Sequence, residues 1–413
     1  MSEEDSASPF ASRDFVLWWA GLFISMMGTQ MTWVAVPYQL YLLSGKNPMV
    51  MGGVGVARAL PIIGMGLLGG AIADSVDRRR LLAVTQTGLM VISGVLAWAA
   101  WTGASTVALL YALVVLGGLL VAVDLPARQA MLPNLVSRRA FPRAVSLNTW
   151  TMQMASLLGP MAAGVLLAWT GPAILYLIDA VSFGAILVAL AVMRPLPARP
   201  GKPVVAGLSS IVEGVRFVRS QPVMWVTMTL DFVATFFADA KYLMPIFAKD
   251  ILHGDERTLG LLLAAPPAGA ALTAFALSFL QPLQKQGLLV LAGIAVYGFA
   301  TVGFGCSTSI ALALVMLALT GAADTVSMVV RNTLRQELTP DHLRARMASV
   351  NMVFFMGGPL LGEFEAGVVA RLVSPRVAVV SGGVACVLAV VACSLLTPWL
   401  WAYERVEPPA IGG

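Results

Sequence analysis

The sequence predicts an all-α membrane protein with twelve transmembrane helices arranged as two six-helix pseudo-repeats. Its composition is the first observation behind this class: 58% of the 413 residues are hydrophobic and 11% are charged, whereas a soluble globular protein has roughly 45–50% and 25%. Long uncharged runs are the second, because about 20 apolar residues cross a bilayer core of roughly 30 Å. These observations exclude a soluble enzyme, a disulfide-stabilised scaffold and a disordered chain.

Charged residues, Gly and Pro interrupt the apolar runs and divide them into separate helices. The predicted organisation is a cytoplasmic tail over 1–15, a helix bundle over 16–193, a cytoplasmic linker over 194–222, a second bundle over 223–400 and a cytoplasmic tail over 401–413. The predicted spans are 16–42, 49–73, 81–101, 105–126, 144–169, 172–193, 223–247, 258–280, 286–305, 309–330, 346–370 and 376–400.

The linker over 194–222 is the longest segment between predicted spans. It begins as a Pro-rich polar stretch, which favours an extended and flexible chain. It continues with Leu208, Ile211, Val212 and Val215 at helical spacing, which predicts an amphipathic helix lying on the membrane surface. The alternative is a solvated linker whose periodicity arose by chance.

The distribution of basic residues predicts the orientation. With the N-terminus inside, the inner segments carry 19 of the 26 Lys and Arg residues and the outer segments carry 5. Because cytoplasmic loops are enriched in Lys and Arg, both termini are predicted to be cytoplasmic in a multi-pass protein of the inner cell membrane. The bases lie in short loops and not along an aromatic face, so no nucleic-acid partner is expected.

An internal repeat is the third observation. Segments 128–148 and 331–351 align without gaps, and each joins the fourth and fifth spans of its half. Two parallel halves of six helices are the repeat organisation that transporters use for alternating access. The identical pairs are Arg128/Arg331, Leu135/Leu338, Arg143/Arg346, Ser146/Ser349 and Asn148/Asn351.

The segment between the second and third spans reads GAIADSVDRRRLL, from Gly70 to Leu82. It resembles the loop motif of the major facilitator superfamily at Gly70, Asp74, Arg78 and Arg79, although Asp77 stands where that family usually has Gly. The wider sequence resembles the branch of enterobactin exporters and macrolide efflux proteins. The resemblance implies the major facilitator fold and transport of a small molecule.

The resemblance also implies a role for this loop as a brace on the cytoplasmic side, with Asp74 joining the two halves. From the residues alone, Arg78 and Arg79 can anchor the third helix at anionic headgroups, and the motif could be only a topology determinant. Asp124 and Arg128 lie one turn apart and can pair on one helix face. They belong either to the same brace or to an ordinary ion pair at a helix end.

The fifth predicted span contains Gly159, Pro160 and Gly164, which partly match the Gly-Pro motif of the superfamily's antiporters. Ala163 replaces one glycine of that motif. Gly and Pro at these positions predict a kink and close packing against another span. Packing of small residues alone explains the pattern nearly as well as an antiporter motif does.

Charged residues within apolar spans are costly and usually functional. Asp179 and five others lie at similar depths below the outer surface, within about one helical turn at 1.5 Å per residue. In the superfamily fold the second and eleventh helices face each other, so we expect Arg58 to pair with Glu363 or Glu365 in an outer gate. A static buried pair is the alternative. The five residues are Arg58, Glu363, Glu365, Asp239 and Lys241.

Asp231 lies near mid-membrane in the seventh predicted span and is predicted to be a lone carboxylate. Such a group could take up and release a proton in each transport cycle, so Asp231 is the first candidate for proton coupling. Asp179 or a glutamate of the eleventh predicted span is the second. A carboxylate that only accepts hydrogen bonds from neighbouring hydroxyl groups would show the same sequence pattern. The first span carries no acidic residue within its apolar stretch.

In the superfamily the first helix faces the substrate cavity, so Gln30, Trp33 and Tyr38 are the candidate substrate contacts. The sequence has no phosphate-binding loop, no nucleophile–base pair and no metal-binding spacing among its two His and three Cys. We therefore expect no metal and no cofactor, with a proton gradient as the energy source, and a monomer in the lipid bilayer.

The predicted function is proton-coupled export of small amphipathic molecules, siderophores or drugs. The alternatives are an importer or uncoupled facilitator on this fold, a membrane sensor that binds ligand without transport, and an intramembrane enzyme.

Overall fold

The computed structural model describes residues 8–75, 77–194, 208–239, 241–279, 284–340 and 343–404. Within the helices it describes only the backbone at 66–75, 208–212, 344–346, 348–350 and 352–356. The described residues are helical apart from short turns and contain no strand. The helices are α1 (Arg13–Leu43), α2 (Pro48–Ser75), α3 (Arg78–Thr102), α4 (Val107–Leu135), α5 (Phe141–Thr170), α6 (Pro172–Val192), α7 (Leu208–Ser220), α8 (Pro222–Ala238), α9 (Met244–Ile246), α10 (Glu256–Leu277), α11 (Gln286–Gly305), α12 (Ile310–Leu338), α13 (Arg344–Leu372) and α14 (Pro375–Leu396).

Local sequence signals begin and end many of these helices. The hydroxyl of Ser12 accepts from the backbone N–H of Phe15 at the start of α1, and Thr106, Ser309 and Ser374 cap α4, α12 and α14 in the same way. These caps satisfy backbone donors that have no partner inside the helix. Gly171 alone joins α5 to α6 at φ +72°, a conformation that favours glycine.

A helix lies at each of the twelve predicted spans. Within the part of the chain that is described, ten segments are long and apolar enough to cross a membrane. Helices α1 and α13 are outside that group, so the count of twelve spans stays a prediction, while the all-helical membrane fold is confirmed.

Two predicted spans were too short at their inner ends. The fourth was predicted to end at 126 and the tenth at 330, whereas α4 continues to Leu135 and α12 to Leu338. Charged residues marked the ends in the sequence, but a helix continues as long as its backbone hydrogen bonds form. Proline inside α4 bends the chain without ending the helix.

The seventh span was predicted as a continuous helix over 223–247, and this was wrong. Helix α8 ends at Ala238, and Asp239 is extended at φ −91° and ψ 115°. The chain continues through a 3₁₀ turn at Lys241–Leu243, the short α9 and a π-helical turn at Phe247–Ile251. Pro245 has no N–H to donate to the carbonyl four residues earlier, so an unbroken α-helix would lose this bond.

The chain forms two compact units. Unit 1 contains Met1–Ser210 and Lys241–Ala264, and unit 2 contains Ile211–Ala240 and Ala265–Gly413. The first division falls between Ser210 and Ile211 in α7, the second at the interruption after α8, and the third inside α10 just before Pro266 and Pro267. The predicted bundles were divided at the linker, so the units differ from them by the segment 241–264.

Equivalent helix pairs pack in the two units, which supports the internal repeat. In unit 1, α1 packs against α5 and α6, and α3 packs against α4 and α6. In unit 2, α8 packs against α13 and α14, and α11 packs against α12 and α14. Each unit has its own apolar core, with Phe15, Trp18 and Leu82 in the first and Val290, Ile294 and Cys386 in the second.

Helix α7 lies within the segment predicted to be an interfacial helix. Its Val218 is fully buried in unit 2 against Met224, Met228 and Met347. The guanidinium of Arg219 lies 5.4 Å from the ring centroid of Trp225. The C-terminal turn of α7 therefore packs on unit 2, and contact of this helix with lipid stays a prediction.

Candidate functional site

Unit 2 contains a cavity of about 220 Å³ lined by α8, α12 and α13. One part of its wall is apolar and includes methionine side chains from α8 and α12, and the other part is charged or amide-bearing. Methionine is flexible and polarisable and suits binding of variable apolar groups. The lining residues are Met224, Thr227, Met228, Asp231, Met328, Arg331, Asn332, Leu334, Arg335 and Asn351.

Asp231 forms an ion pair with Arg331 across the cavity wall, between α8 and α12. The Asp231 side chain is 17% exposed and the Arg331 side chain 12%, so little water screens the pair. The prediction that Asp231 is a lone carboxylate was therefore wrong. It considered α8 by itself, while the partner is on another helix 100 residues later in the chain.

Arg331 has a second acidic contact, Asp324, which lies two turns earlier on the same helix α12. In the structure Arg331 Nη2 lies 3.5 Å from Asp324 Oδ1, and the Asp324 side chain is 46% exposed. The contact with Asp231 is the shorter and more buried of the two. Asp231 is therefore the main partner of Arg331, and Asp324 is a peripheral one.

Arg335 lies one helical turn beyond Arg331 on α12 and is held differently. Its Nη2 donates to Asn332 Oδ1 at 2.8 Å, and its Nη1 donates to Asn351 Oδ1 on α13. Both acceptors are uncharged amide oxygens. The described residues include no ion-pair partner for Arg335, so its positive charge is oriented without being neutralised.

Asp179 on α6 is 2% exposed and lies inside unit 1. Thr32 Oγ1 of α1 and Ser93 Oγ of α3 each donate to its Oδ2 at 2.7 Å. Thr29 Oγ1 lies 3.3 Å from Oδ1 and 3.0 Å from the carbonyl of Ser25, and its single proton can serve only one of them. This is the hydroxyl-bonded carboxylate that the sequence could not distinguish from a coupling site.

The residues predicted to form an inner brace include a second buried carboxylate of unit 1. Asp124 is 3% exposed and forms an ion pair with Arg128 one turn later in α4. Thr85 Oγ1 and Gln86 Nε2 of α3 each donate to its Oδ1 at 2.7 Å. This arrangement fixes α3 to α4.

The loop motif contributes further contacts at the start of α3. Arg78 donates to the carbonyl of Ala130 at 3.2 Å, and Arg79 donates to the carbonyl of Ala191 at 3.1 Å. Asp77, which replaces the usual Gly, accepts from the N–H of Arg80 and caps the helix. The side chain of Asp74, like Gly70, lies outside the described residues, so its role in a brace stays a prediction.

Arg58 is buried in unit 1 between two aromatic residues. Its Nη1 donates to the hydroxyl of Tyr242 at 2.8 Å, and its guanidinium lies 4.3 Å from the ring centroid of Trp33, within cation–π distance. Trp33 is 45% exposed. Neither aromatic contact was expected from the sequence.

The other predicted gate residues lie in different parts of the fold. Glu363 is buried and Glu365 partly buried on α13 of unit 2. Asp239 follows the end of α8 in unit 2, and Lys241 is exposed at the start of the segment in unit 1. The expected pairing of Arg58 with Glu363 or Glu365 stays a prediction.

A polar cluster that the sequence did not indicate joins α1 to the segment 241–264 within unit 1. The hydroxyl of Tyr38 donates to Glu256 Oε1 at 2.6 Å, and Lys249 forms an ion pair with the same carboxylate. Tyr38 is 7% exposed, so a substrate does not reach it in this conformation.

A second part of this cluster lies at the loop after α1. The hydroxyl of Tyr41 donates to Asp250 Oδ2 at 3.0 Å. Lys46 forms an ion pair with Asp250. The hydrogen bond from Lys46 to the Asp250 carboxylate raises the pKa of Lys46 above its usual value. The carboxylates of Asp250 and Glu256 thus tie the segment 241–264 to α1 and its following loop.

The remaining candidates lie at helix contacts of unit 1. Gln30 Nε2 donates to Ser156 Oγ of α5 at 2.8 Å. A Cβ at Gly159 would lie 2.5 Å from Gln30 Cβ, and one at Gly164 would lie 2.8 Å from Gly260 Cα of α10. The Gly-Pro motif therefore allows α5 to approach two other helices closely.

Matching the depths of charged residues would have indicated the Asp231–Arg331 pair. Asp231 is nine residues into α8 from Pro222, and Arg331 is seven residues from the inner end of α12. At about 1.5 Å per residue the two depths agree within one helical turn. The sequence contains no corresponding signal for Arg335, because its partners are common asparagines.

Comparisons with known proteins are consistent with this architecture. The sequence profile of the family described as transmembrane secretion effector matches residues 4–404. The chain is 28% identical to an enterobactin exporter of Citrobacter koseri and 27% identical to one of Shigella boydii serotype 18, in each case over 94% of this chain and 92% of the relative.

Solved structures of transporters have the same fold. A bacterial homologue of the human lysosomal transporter Spinster, in an inward-facing and occupied conformation, matches with a TM-score of 0.75 and 14% identity over 96% of this chain and 99% of that one. A bacterial homologue of the iron transporter ferroportin, in an inward-facing state, matches with a TM-score of 0.71 and 15% identity over 95% and 99%.

Proposed function

Because the chain belongs to the transmembrane secretion effector family of the major facilitator superfamily, and is thus a transporter and not an enzyme, we propose that it exports small amphipathic molecules by proton-coupled alternating access. The export direction is supported by the enterobactin exporters to which the chain is similar. The proposed location is the inner cell membrane with both termini in the cytoplasm. The proposed energy source is the proton gradient, with no cofactor and no metal.

The observation that carries the coupling proposal is the position of Asp231. Its carboxylate lines the cavity of unit 2 and pairs with Arg331. A proton on Asp231 would remove the negative charge that neutralises Arg331. Loss of one partner of a buried ion pair is destabilising by several kcal/mol. Proton uptake at this position would therefore change the cavity that holds the substrate.

Asp231 also provides a physical reason for exchange of proton and substrate. A substrate hydroxyl can donate to the ionised carboxylate, and a proton on the carboxylate turns this charged acceptor into a weaker neutral one. Substrate and proton would then compete for one group, as antiport requires. Asp179 is the second candidate, but three hydroxyl groups surround it and it is 2% exposed.

The contacts of Arg58 in unit 1 support a proposed outer gate. Arg58, Trp33 and Tyr242 join helices of the first bundle to the segment 241–264. In the gate, Arg58 would pair with Glu363 or Glu365 when the carrier faces inward, and Asp74 would brace the cytoplasmic side when it faces outward. Neutralising Arg58 should then favour outward-open molecules, which labelling from outside would detect. Unchanged labelling of Arg58→Gln would exclude the gate.

The function is tested with purified protein in liposomes that contain a pH-sensitive dye. Catecholate siderophores, macrolides and cationic dyes are added in turn, and both substrate flux and proton movement are recorded. We expect one class to move together with counter-movement of protons. We expect Asp231→Asn to abolish this proton movement, while Asp255→Asn, a matched carboxylate change in the loop before α10, retains it.

Other outcomes would separate the alternatives. Flux without proton movement would indicate an uncoupled facilitator, and flux driven only inward would indicate an importer. Binding without flux would indicate a membrane sensor. Coupling that survives in Asp231→Asn and is lost in Asp179→Asn would move the proton site to the enclosed carboxylate.

A further inference from the structure

The guanidinium of Arg335 is an oriented positive charge inside an otherwise small and partly apolar cavity. Its two described partners are the amide oxygens of Asn332 and Asn351. An amide oxygen carries only a partial negative charge, so it fixes the direction of the guanidinium and leaves the full charge available. Buried or partly buried arginines are usually paired with a carboxylate, and the absence of one here, among the residues described, calls for a ligand.

The neighbouring charges do not supply this missing partner. Arg331 is paired with Asp231 and also lies near Asp324. The three ionisable residues that line the cavity are therefore one carboxylate and two guanidinium groups, which leaves one positive charge in excess. Because the carboxylate is engaged by Arg331, the excess charge is located at Arg335.

The geometry of the guanidinium sets the chemistry of the ligand. Arginine presents several N–H donors in a planar fork that matches carboxylate and phosphate oxygens. The wall of the same cavity also includes Met224, Met228 and Met328, whose thioethers favour aromatic or other apolar groups. A ligand that satisfies both surfaces has an acidic group at one end and an apolar, preferably aromatic, body.

We propose that this cavity is a binding site for amphipathic organic anions, in which Arg335 binds the acidic group and Asn332 and Asn351 position the guanidinium. This inference rests on the proposed function, since it names the substrate class of the exporter. It assigns a specific role to Arg335 that is separate from proton exchange at Asp231.

The test measures binding to the purified full chain in detergent by equilibrium dialysis at neutral pH. The probes are 1-naphthoate and its uncharged isostere 1-naphthamide, which differ in charge and hardly in shape. We expect the anion to bind at least about tenfold more tightly than the amide, which corresponds to about 1.4 kcal/mol. We expect Arg335→Gln to lose this preference and Arg335→Lys to retain part of it, because a lysine keeps the charge without the fork.

The control variant is Arg371→Gln, which removes an exposed arginine at the end of α13, outside the cavity. It should bind both probes as the wild type does, and thermal unfolding of every variant verifies that it is folded. Equal binding of the two probes, no binding of either at millimolar concentration, or an unchanged preference in Arg335→Gln would overturn the proposal.

The binding measurement and the liposome assay fail independently. If 1-naphthoate binds through Arg335 but no compound is transported, the anion site is correct and the proposed export function is wrong. If protons and a neutral substrate exchange while the naphthoate preference is absent, export stands and the anion class is wrong. We also expect Asp231→Asn to keep the preference for naphthoate, because Arg335 does not depend on that carboxylate.

Discussion

Asp179 in unit 1 and Asp231 in unit 2 are both carboxylates on helices that the sequence predicts to span the membrane, yet their surroundings differ completely. Asp179 is enclosed, and its oxygens face hydroxyl groups from two other helices. Asp231 pairs with a guanidinium and lines a cavity. The first arrangement joins three helices, while the second leaves a charge pair where a ligand can reach it.

This difference is the reason why burial alone does not decide which carboxylate we propose for proton coupling. The stabilisation of a buried charge depends on its partners, and its use in transport depends on whether water and ligand reach it. Three hydroxyl groups can solvate Asp179 without any change during a cycle. The ion pair of Asp231 and Arg331 is different, because proton uptake or a competing ligand would change the charge balance between the two side chains.

The largest effect is expected from removing Arg331. The variant Arg331→Gln leaves the carboxylate of Asp231 buried without its cation, and loss of one partner of a buried pair costs about 3–5 kcal/mol. The free energy of unfolding, measured by denaturant titration in detergent, should fall by this amount.

The double variant Asp231→Asn/Arg331→Gln distinguishes the contribution of the ion pair to stability from that of the other contacts of Arg331. It removes both charges, and we expect it to recover most of the stability lost in Arg331→Gln. A double variant that is no more stable than the single one would show that Arg331 stabilises unit 2 through other contacts, and the comparison with Asp179 would lose its basis.

A smaller effect is expected at Asp179. The variant Thr32→Val removes one hydroxyl that donates to the buried carboxylate at 2.7 Å, and a hydrogen bond to a charged group contributes about 1.5–3 kcal/mol. Ser93→Ala should cost a similar amount by the same denaturant titration. The matched control is Thr149→Val, whose hydroxyl bonds only within an exposed face of α5. If Thr32→Val is as stable as this control, Asp179 does not depend on its hydroxyl donors.

The fold was largely predictable because apolar length and short-range signals determine it. Runs of apolar residues located the helices, and most predicted ends lie within a few residues of the structure. The inner ends of α4 and α12 were missed because charge was taken as the end of a helix. The break after Ala238 was missed because the sequence there remains apolar, although Pro245 was visible as a breaker.

The candidate site was predictable only where partners are close in sequence. Asp124 and Arg128 are four residues apart, so helical geometry brings them together. Asp231 and Arg331 are on different helices, and Tyr38 meets Glu256 far along the chain. Such contacts depend on which helices pack together, and a single sequence does not specify this packing directly.

The smallest effect, and the sharpest check on the partner of Arg331, is expected at Asp324. Asp324 lies on the same helix as Arg331, 3.5 Å from its guanidinium, and its side chain is half-exposed. Exposed ion pairs contribute about 0–1 kcal/mol, so Asp324→Asn should change the free energy of unfolding by less than about 1 kcal/mol. Asp231→Asn should cost clearly more, because it leaves Arg331 with only the peripheral contact. If the two variants were equally unstable, the charge of Arg331 would be shared by both carboxylates, and the cavity would hold a charge triad in place of a pair with a single exchangeable carboxylate.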